Sequence, residues 1–291
     1  MLAKTALALL FILLIWGNAV SGLKAGLACP DWPLCHGEVI PPFRWDIYVE
    51  FSHRVIGGIT SIVLFILCYR RFRAYQKNYR ILPLLVVVLL LFQIVLGGIV
   101  VLAKLPVNLT TIHFTNAIII FSITLYMVYF DGVRKKPDFC FSGPAGLFFA
   151  LFLLVFIQAS LGAYVRHLEA GLACPDFPTC LGYWIPPELS GKVLAHFTHR
   201  AVAYLLTLVF IFVLFLSRKS ATLKEARKNM SRAVALLFLQ IGLGIAVVTS
   251  KLLFYVTAIH LAIGLLILSL CLLTWFGYIS KNTVAEKTFQ Q

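Results

Sequence analysis

The sequence predicts an all-α integral membrane protein: eight transmembrane helices in two parallel-repeat four-helix bundles, each capped by a long outer loop. Three observations predict it. Of 291 residues, 61% are hydrophobic and 12% charged, where soluble chains carry about a quarter charged residues. Apolar runs of about 20 residues, each long enough to cross a bilayer, recur along the chain. One stretch occurs twice, since residues 25–54, AGLACPDWPLCHGEVIPPFRWDIYVEFSHR, return as 170–200, AGLACPDFPTCLGYWIPPELSGKVLAHFTHR.

The rare residue types keep step through the repeat. Cys29 and Cys35 answer to Cys174 and Cys180, 145 positions on. Ser52-His53-Arg54 answers to Thr198-His199-Arg200 at 146, and Gln93, Gly97, Lys104 and His113 answer to Gln240, Gly244, Lys251 and His260 at 147. Such a register is duplication. It divides the chain into an N-terminal half, 1–140, and a C-terminal half, 141–291.

In order, the spans fall at roughly 5–23, 50–69, 81–103, 107–130, 144–165, 193–216, 231–251 and 254–278. The first, with Lys4 ahead of it, has the outline of a signal peptide. Its counterpart at 144–165 is internal and the run is long for a signal, so it stays in the fold. Segments 24–49 and 166–192 are the capping loops, where Pro30 and Pro33 stiffen the chain and Gly37 permits a turn. Lys104-Leu105-Pro106 is barely a turn. After Tyr278 the chain is polar and reads as an exposed end. Placing the N-terminus inside puts 17 of the 25 Lys and Arg on the inner side. That bias sets both termini in the cytoplasm of a multi-pass cell-membrane protein, with the cysteine loops outside. The net charge of +14 is then an orientation signal, not a nucleic-acid surface.

His53, His113, His199 and His260 each sit near the outer end of a span, two per half. An ionisable ring inside a membrane is costly and marks function by default. Zinc wants three or four converging ligands. Two imidazoles on different helices of a bundle suit an iron porphyrin, one on each face. Each half therefore reads as a haem site, His53 with His113 and His199 with His260. Arg54, Lys104, Arg200 and Lys251 break the inside bias and are duplicated, as partners of haem propionates would be. Snorkelling to headgroups is their plainer role.

Cys29/Cys35 and Cys174/Cys180 face an oxidising compartment, so a disulfide is expected across each loop; staple and redox-active dithiol both remain open. Cys68, Cys140 and Cys271 read as buried thiols. Where the halves differ, chemistry is expected. Glu50 stands three residues before His53, on the same helix face, and its counterpart is His196. A carboxylate there can act as a base or stabilise a cation. His196 could ligate instead of His199, though the register favours His199. His36 and His167 read as solvated loop residues, Asp31 and Asp176 as turn formers, and Gln93 and Gln240 as interhelical hydrogen-bonding groups.

Taken together, C-P-D-W-P-L-C in the first outer loop, Glu50-Phe51-Ser52-His53-Arg54 opening the second span, and His113, His199 and His260 at later outer ends resemble the haem A synthase family. The resemblance covers nearly the whole chain and the branch with cysteine pairs in both loops. It implies oxidation of the C8 methyl of haem O to a formyl group by two hydroxylations, the second giving a gem-diol that loses water. It implies haem b held by His199 and His260, and a substrate site with His53, His113 and Glu50. Implied partners are haem O, a membrane quinone or other electron acceptor, haem O synthase, terminal oxidase assembly and a second copy of the chain. A di-haem b electron carrier, a membrane thiol oxidase and a parallel-repeat transporter are the rival readings.

Overall fold

Among the described residues eight long helices form, because eight apolar runs are long enough to satisfy their own backbone in lipid. The computed structural model describes residues 1–288, with side chains through Ser280. The helices are α1 (Leu2–Gly22), α2 (Trp45–Ala74), α3 (Ile81–Leu102), α4 (Val107–Tyr129), α5 (Gly143–His167), α6 (Gly191–Lys219), α7 (Arg227–Thr249) and α8 (Phe254–Thr288). All eight are long and apolar enough to cross a membrane. Among the described residues the β pairing amounts to two isolated bridges, Cys35 to Glu38 and Cys180 to Tyr183.

Some details differ from expectation. Helix α2 outruns 50–69 by several residues at each end. Its first turn is polar, with Arg44 Nε and NH2 donating to the Asp46 carboxylate at 2.6 and 2.9 Å, so hydropathy does not register it. Short 3₁₀ turns at Lys77–Tyr79 and Ala221–Ala226 precede α3 and α7. His167 is the last residue of α5 and not a loop residue. Cys68 and Cys271 are buried as expected, whereas Cys140 is half-buried in a loop. The exposed end expected after Tyr278 is helical backbone to Thr288. Its side chains beyond Ser280, Lys281 and Lys287 included, lie outside the described residues.

The chain divides into two compact units. The first comprises Met1–Arg134 with Leu252–Leu261; the second comprises Lys135–Lys251 with α8 from Ala262 onward. In the first, α1 packs on α2 and α4, α2 on α3, and α3 on α4. Leu10 and Leu14 of α1, Leu64 and Leu67 of α2, Val86 and Leu90 of α3 and Ile118 and Phe121 of α4 are its buried core. Arg71 ties the end of α2 to that of α4, donating to the Met127 and Asp131 carbonyls at 2.9 and 2.8 Å. In the second unit, α6 packs on α5 and α7. There Trp275 Nε1 donates to the Cys140 carbonyl at 2.9 Å, and its ring meets Phe149 at 4.7 Å.

Lipid is as apolar as leucine, so close packing and interhelical hydrogen bonds carry more of the association than burial does, each bond worth about 0.6–2 kcal/mol. Asn18 to the Thr257 hydroxyl, 3.1 Å, and Trp16 Nε1 to the Ser52 hydroxyl, 2.9 Å, are bonds of this kind.

Helices α1, α3 and α5 end alike. Lys24, Lys104 and Glu169 sit at φ 55°, 61° and 54°. The next N–H closes back on the helix from Ala25 to Val20, Leu105 to Val100 and Ala170 to Val165. This is the left-handed Schellman stop, built on Lys or Glu where glycine is usual. A cation there also suits the helix dipole.

Candidate functional site

The capping loops, here called lids, set the site. In the first, Cys29 and Cys35 form a disulfide, and in the second Cys174 and Cys180 do. The Asp31 carboxylate accepts from the His36 and Gly37 N–H groups at 2.6 and 2.8 Å. Asp176 accepts from the Leu181 and Gly182 N–H groups at 2.7 and 2.9 Å and from the Thr179 hydroxyl. Both aspartates are the turn formers expected. The Gly37 N–H, foremost, holds the Asp31 carboxyl below its usual range. Thr179, then the Gly182 and Leu181 N–H groups, bring Asp176 down to about 2. His36 is exposed, yet its Nε2 bonds the Ala28 carbonyl at 2.8 Å.

Each disulfide ring encloses an arginine from the following helix. NH1 of Arg54 donates to the Asp31 and Leu34 carbonyls at 2.8 and 2.7 Å, and NH2 to the Cys29 carbonyl at 2.9 Å. NH1 of Arg200 donates to the Asp176 and Thr179 carbonyls at 2.5 and 2.8 Å, and NH2 to the Cys174 carbonyl at 2.6 Å. These duplicated cations thus clamp the lids, while Lys104 is exposed at its helix end and Lys251 follows α7 with φ 54°.

The halves diverge a turn before these arginines. Arg54 Nε donates to Glu50 Oε1 at 3.0 Å, and the Glu50 side chain is 7% exposed. Its counterpart His196 is also buried, and its Nδ1 accepts from the Cys174 N–H at 3.3 Å. His196 is thereby a lid tie.

Glycines seat the histidine rings. A Cβ on Gly17 of α1 would stand 3.1 Å from Cε1 of His53 on α2. On Gly97 of α3 it would stand 3.0 Å from Cε1 of His113 on α4, and on Gly162 of α5 3.0 Å from Cε1 of His199 on α6. Only a bare backbone lets an imidazole lie this close. His53 and His113 lie within electrostatic reach of one another, and each has a buried Nδ1 without a hydrogen-bond partner. His260 lies on α8 in the segment that belongs to the first unit. The lid is seated beside this pair, since a Cβ on Gly98 would fall 2.7 Å from the Trp32 ring. Among the described residues no three His, Cys, Asp or Glu side chains converge as a chelate requires. Chemically, the arrangement could offer two imidazoles from two helices to a planar metal complex, with a buried carboxylate one turn away and a disulfide-bonded lid beside them.

A family profile described as Cytochrome oxidase assembly protein matches residues 1–272. The chain belongs to the cytochrome oxidase assembly protein family. It is 32% identical over 270 residues to the heme A synthase of Halalkalibacterium halodurans, spanning 89% of this chain and 90% of that protein. It is 31% identical to the heme A synthase of Symbiobacterium thermophilum, over 84% and 82% of the two chains. To that of Bacillus licheniformis it is 30% identical, over 85% of each. An eight-helix, membrane-spanning chain is what this cytochrome oxidase assembly family match and the helices agree on.

Four contributors were not singled out from sequence. Gly17 and Gly162 are 145 residues apart, so the repeat register already carried their signal. Gly98 and Asn116 are replaced by Ile245 and Ile263 in the second half, and their signal was that break in the repeat.

Proposed function

We propose that this chain is an oxidoreductase that converts haem O to haem A, with the first unit as substrate site. The observation that carries the reading is the pair His53 and His113: glycine-seated, each with an orphaned buried Nδ1, and beside the buried Glu50. The names of the relatives support it independently. His53 and His113 would clasp the substrate porphyrin from α2 and α4, fixing its edge against the lid. Oxidising its C8 methyl to a formyl removes four electrons in two hydroxylations, followed by loss of water. Glu50, held in place by Arg54, would stabilise a cation at the oxidised methyl or take the proton of an attacking water.

His199, seated on Gly162, would hold haem b together with His260, its partner by the repeat register. When bound, haem b supplies a one-electron relay, with a membrane quinone or similar carrier as acceptor. On the same reading both termini are cytoplasmic and both lids lie outside.

Glu50→Gln keeps shape and removes the charge. The variant is expected to bind haem O and to make no haem A. Normal haem A production by it would remove Glu50 from the chemistry.

A further inference from the structure

A chain of hydrogen bonds with a single permitted polarity ends on His113. The Leu89 carbonyl can only accept, so the Asn116 side-chain nitrogen, 3.0 Å away, donates to it. The same nitrogen lies 2.7 Å from Gln93 Oε1, which fixes the Gln93 carboxamide. That leaves Gln93 Nε2, a donor only, 3.2 Å from His113 Nε2. His113 Nε2 therefore carries the lone pair, and the ring proton stays on Nδ1, which is buried without a partner. Asn116 itself is buried. A backbone carbonyl on α3 thus dictates the tautomer of a histidine on α4.

The second half does not repeat the anchor of this relay. Gln240 repeats Gln93, but Ile263 stands where Asn116 would, and Gln240 Oε1 is buried without a partner.

We propose that Asn116 and Gln93 are positioning residues for a porphyrin that must come and go. They hold the His113 lone pair on Nε2, ready for iron, and cap it with an amide hydrogen whenever iron is absent. Capping competes with the ligand bond and eases release. The half that carries Asn116 is the one that exchanges substrate for product. This rests on the reading of His113 as a haem O ligand.

The test uses the full-length purified protein loaded with haem O, with excess apomyoglobin as acceptor and release followed by absorbance. Gln93→Leu removes the cap and Asn116→Ile unfixes it, and both are expected to slow release by about three- to tenfold, with haem b content unchanged. Gln93→Glu, read at alkaline pH where its carboxylate is ionised, can only accept, so it moves the proton to His113 Nε2 and is expected to weaken haem O binding and speed release. Opposite shifts from Leu and Glu at one position are what a packing role would not produce. Should Gln93→Leu fail to assemble, the near-isosteric Gln93→Glu decides alone. Unchanged release in these variants, or the same shift from both, overturns the proposal. His113→Ala that still holds haem O and releases it at the unaltered rate would overturn the ligand assignment itself.

Discussion

Half-buried Arg54 and buried Glu50, one turn apart on α2, form an ion pair at 3.0 Å, and the other end of the same guanidinium is clamped by the Cys29, Asp31 and Leu34 carbonyls. The disulfide ring therefore fixes the carboxylate through one side chain. In the second half the clamp is kept on Arg200 but the carboxylate is not.

Arg54→Lys should separate these roles. An ammonium is a point donor and cannot span three carbonyls and a carboxylate, and a buried carboxylate that loses its partner is strongly destabilised. Haem A formation is expected to fall by at least about tenfold, and the Cys29–Cys35 bridge to become easier to reduce. Arg200→Lys should loosen only its own lid and leave haem A formation within about twofold. Equal losses from both, measured as haem A per polypeptide, would deny that Arg54 acts through Glu50.

The glycine seats give a graded series. Gly17→Ala and Gly97→Ala place a methyl 3.1 and 3.0 Å from the His53 and His113 rings, so each ring must shift by a few tenths of an ångström. Porphyrin occupancy of the first unit is expected to drop, and Gly162→Ala to reduce haem b in the same way. Gly57→Ala on α2, where nothing lies within 4 Å of the added Cβ, is the neutral control. Gly98→Ala meets the Trp32 ring at 2.7 Å and should unseat the first lid, read as a red shift in tryptophan emission. Absorbance per polypeptide checks the series; four indistinguishable proteins would show that the seats do not matter.

Most of the architecture was legible because span length is set by bilayer thickness, and the four histidines at the helix ends because a repeat displays its rare residues twice. What stayed hidden depends on groups that spacing does not count. Arg54 and Arg200 read as propionate partners or snorkelling cations, since the loop carbonyls that hold them converge only after the chain turns at Asp31 and Asp176. The polar first turn of α2 falls outside any apolar run. Gln93 read as a plain interhelical bonder because its consequence runs through Asn116, which has no repeated counterpart. For His196 the register favoured His199 as ligand, and its bond from the Cys174 N–H forms only once the lid folds over α6.

The lids should respond to acid in a definite direction. Asp176, held down to about 2 from 3.8 by Thr179 and the Gly182 and Leu181 N–H groups, stabilises the folded lid above its unfolded pKa. That contribution is lost as pH falls from about 4 toward 2. Amide exchange at Leu181 and Gly182, corrected for intrinsic rates, should stay slow down to about pH 4 and accelerate below it. Asp176→Asn should remove the transition. Protection that ignores pH throughout would contradict the carboxylate's role.

Pigment extracted from the purified chain, made in cells supplied with haem O, tests the porphyrin clasp most directly. Haem b together with haem O and haem A is expected, with the O and A fraction lost in His53→Ala and His113→Ala. A colourless polypeptide, or haem b alone, would contradict it.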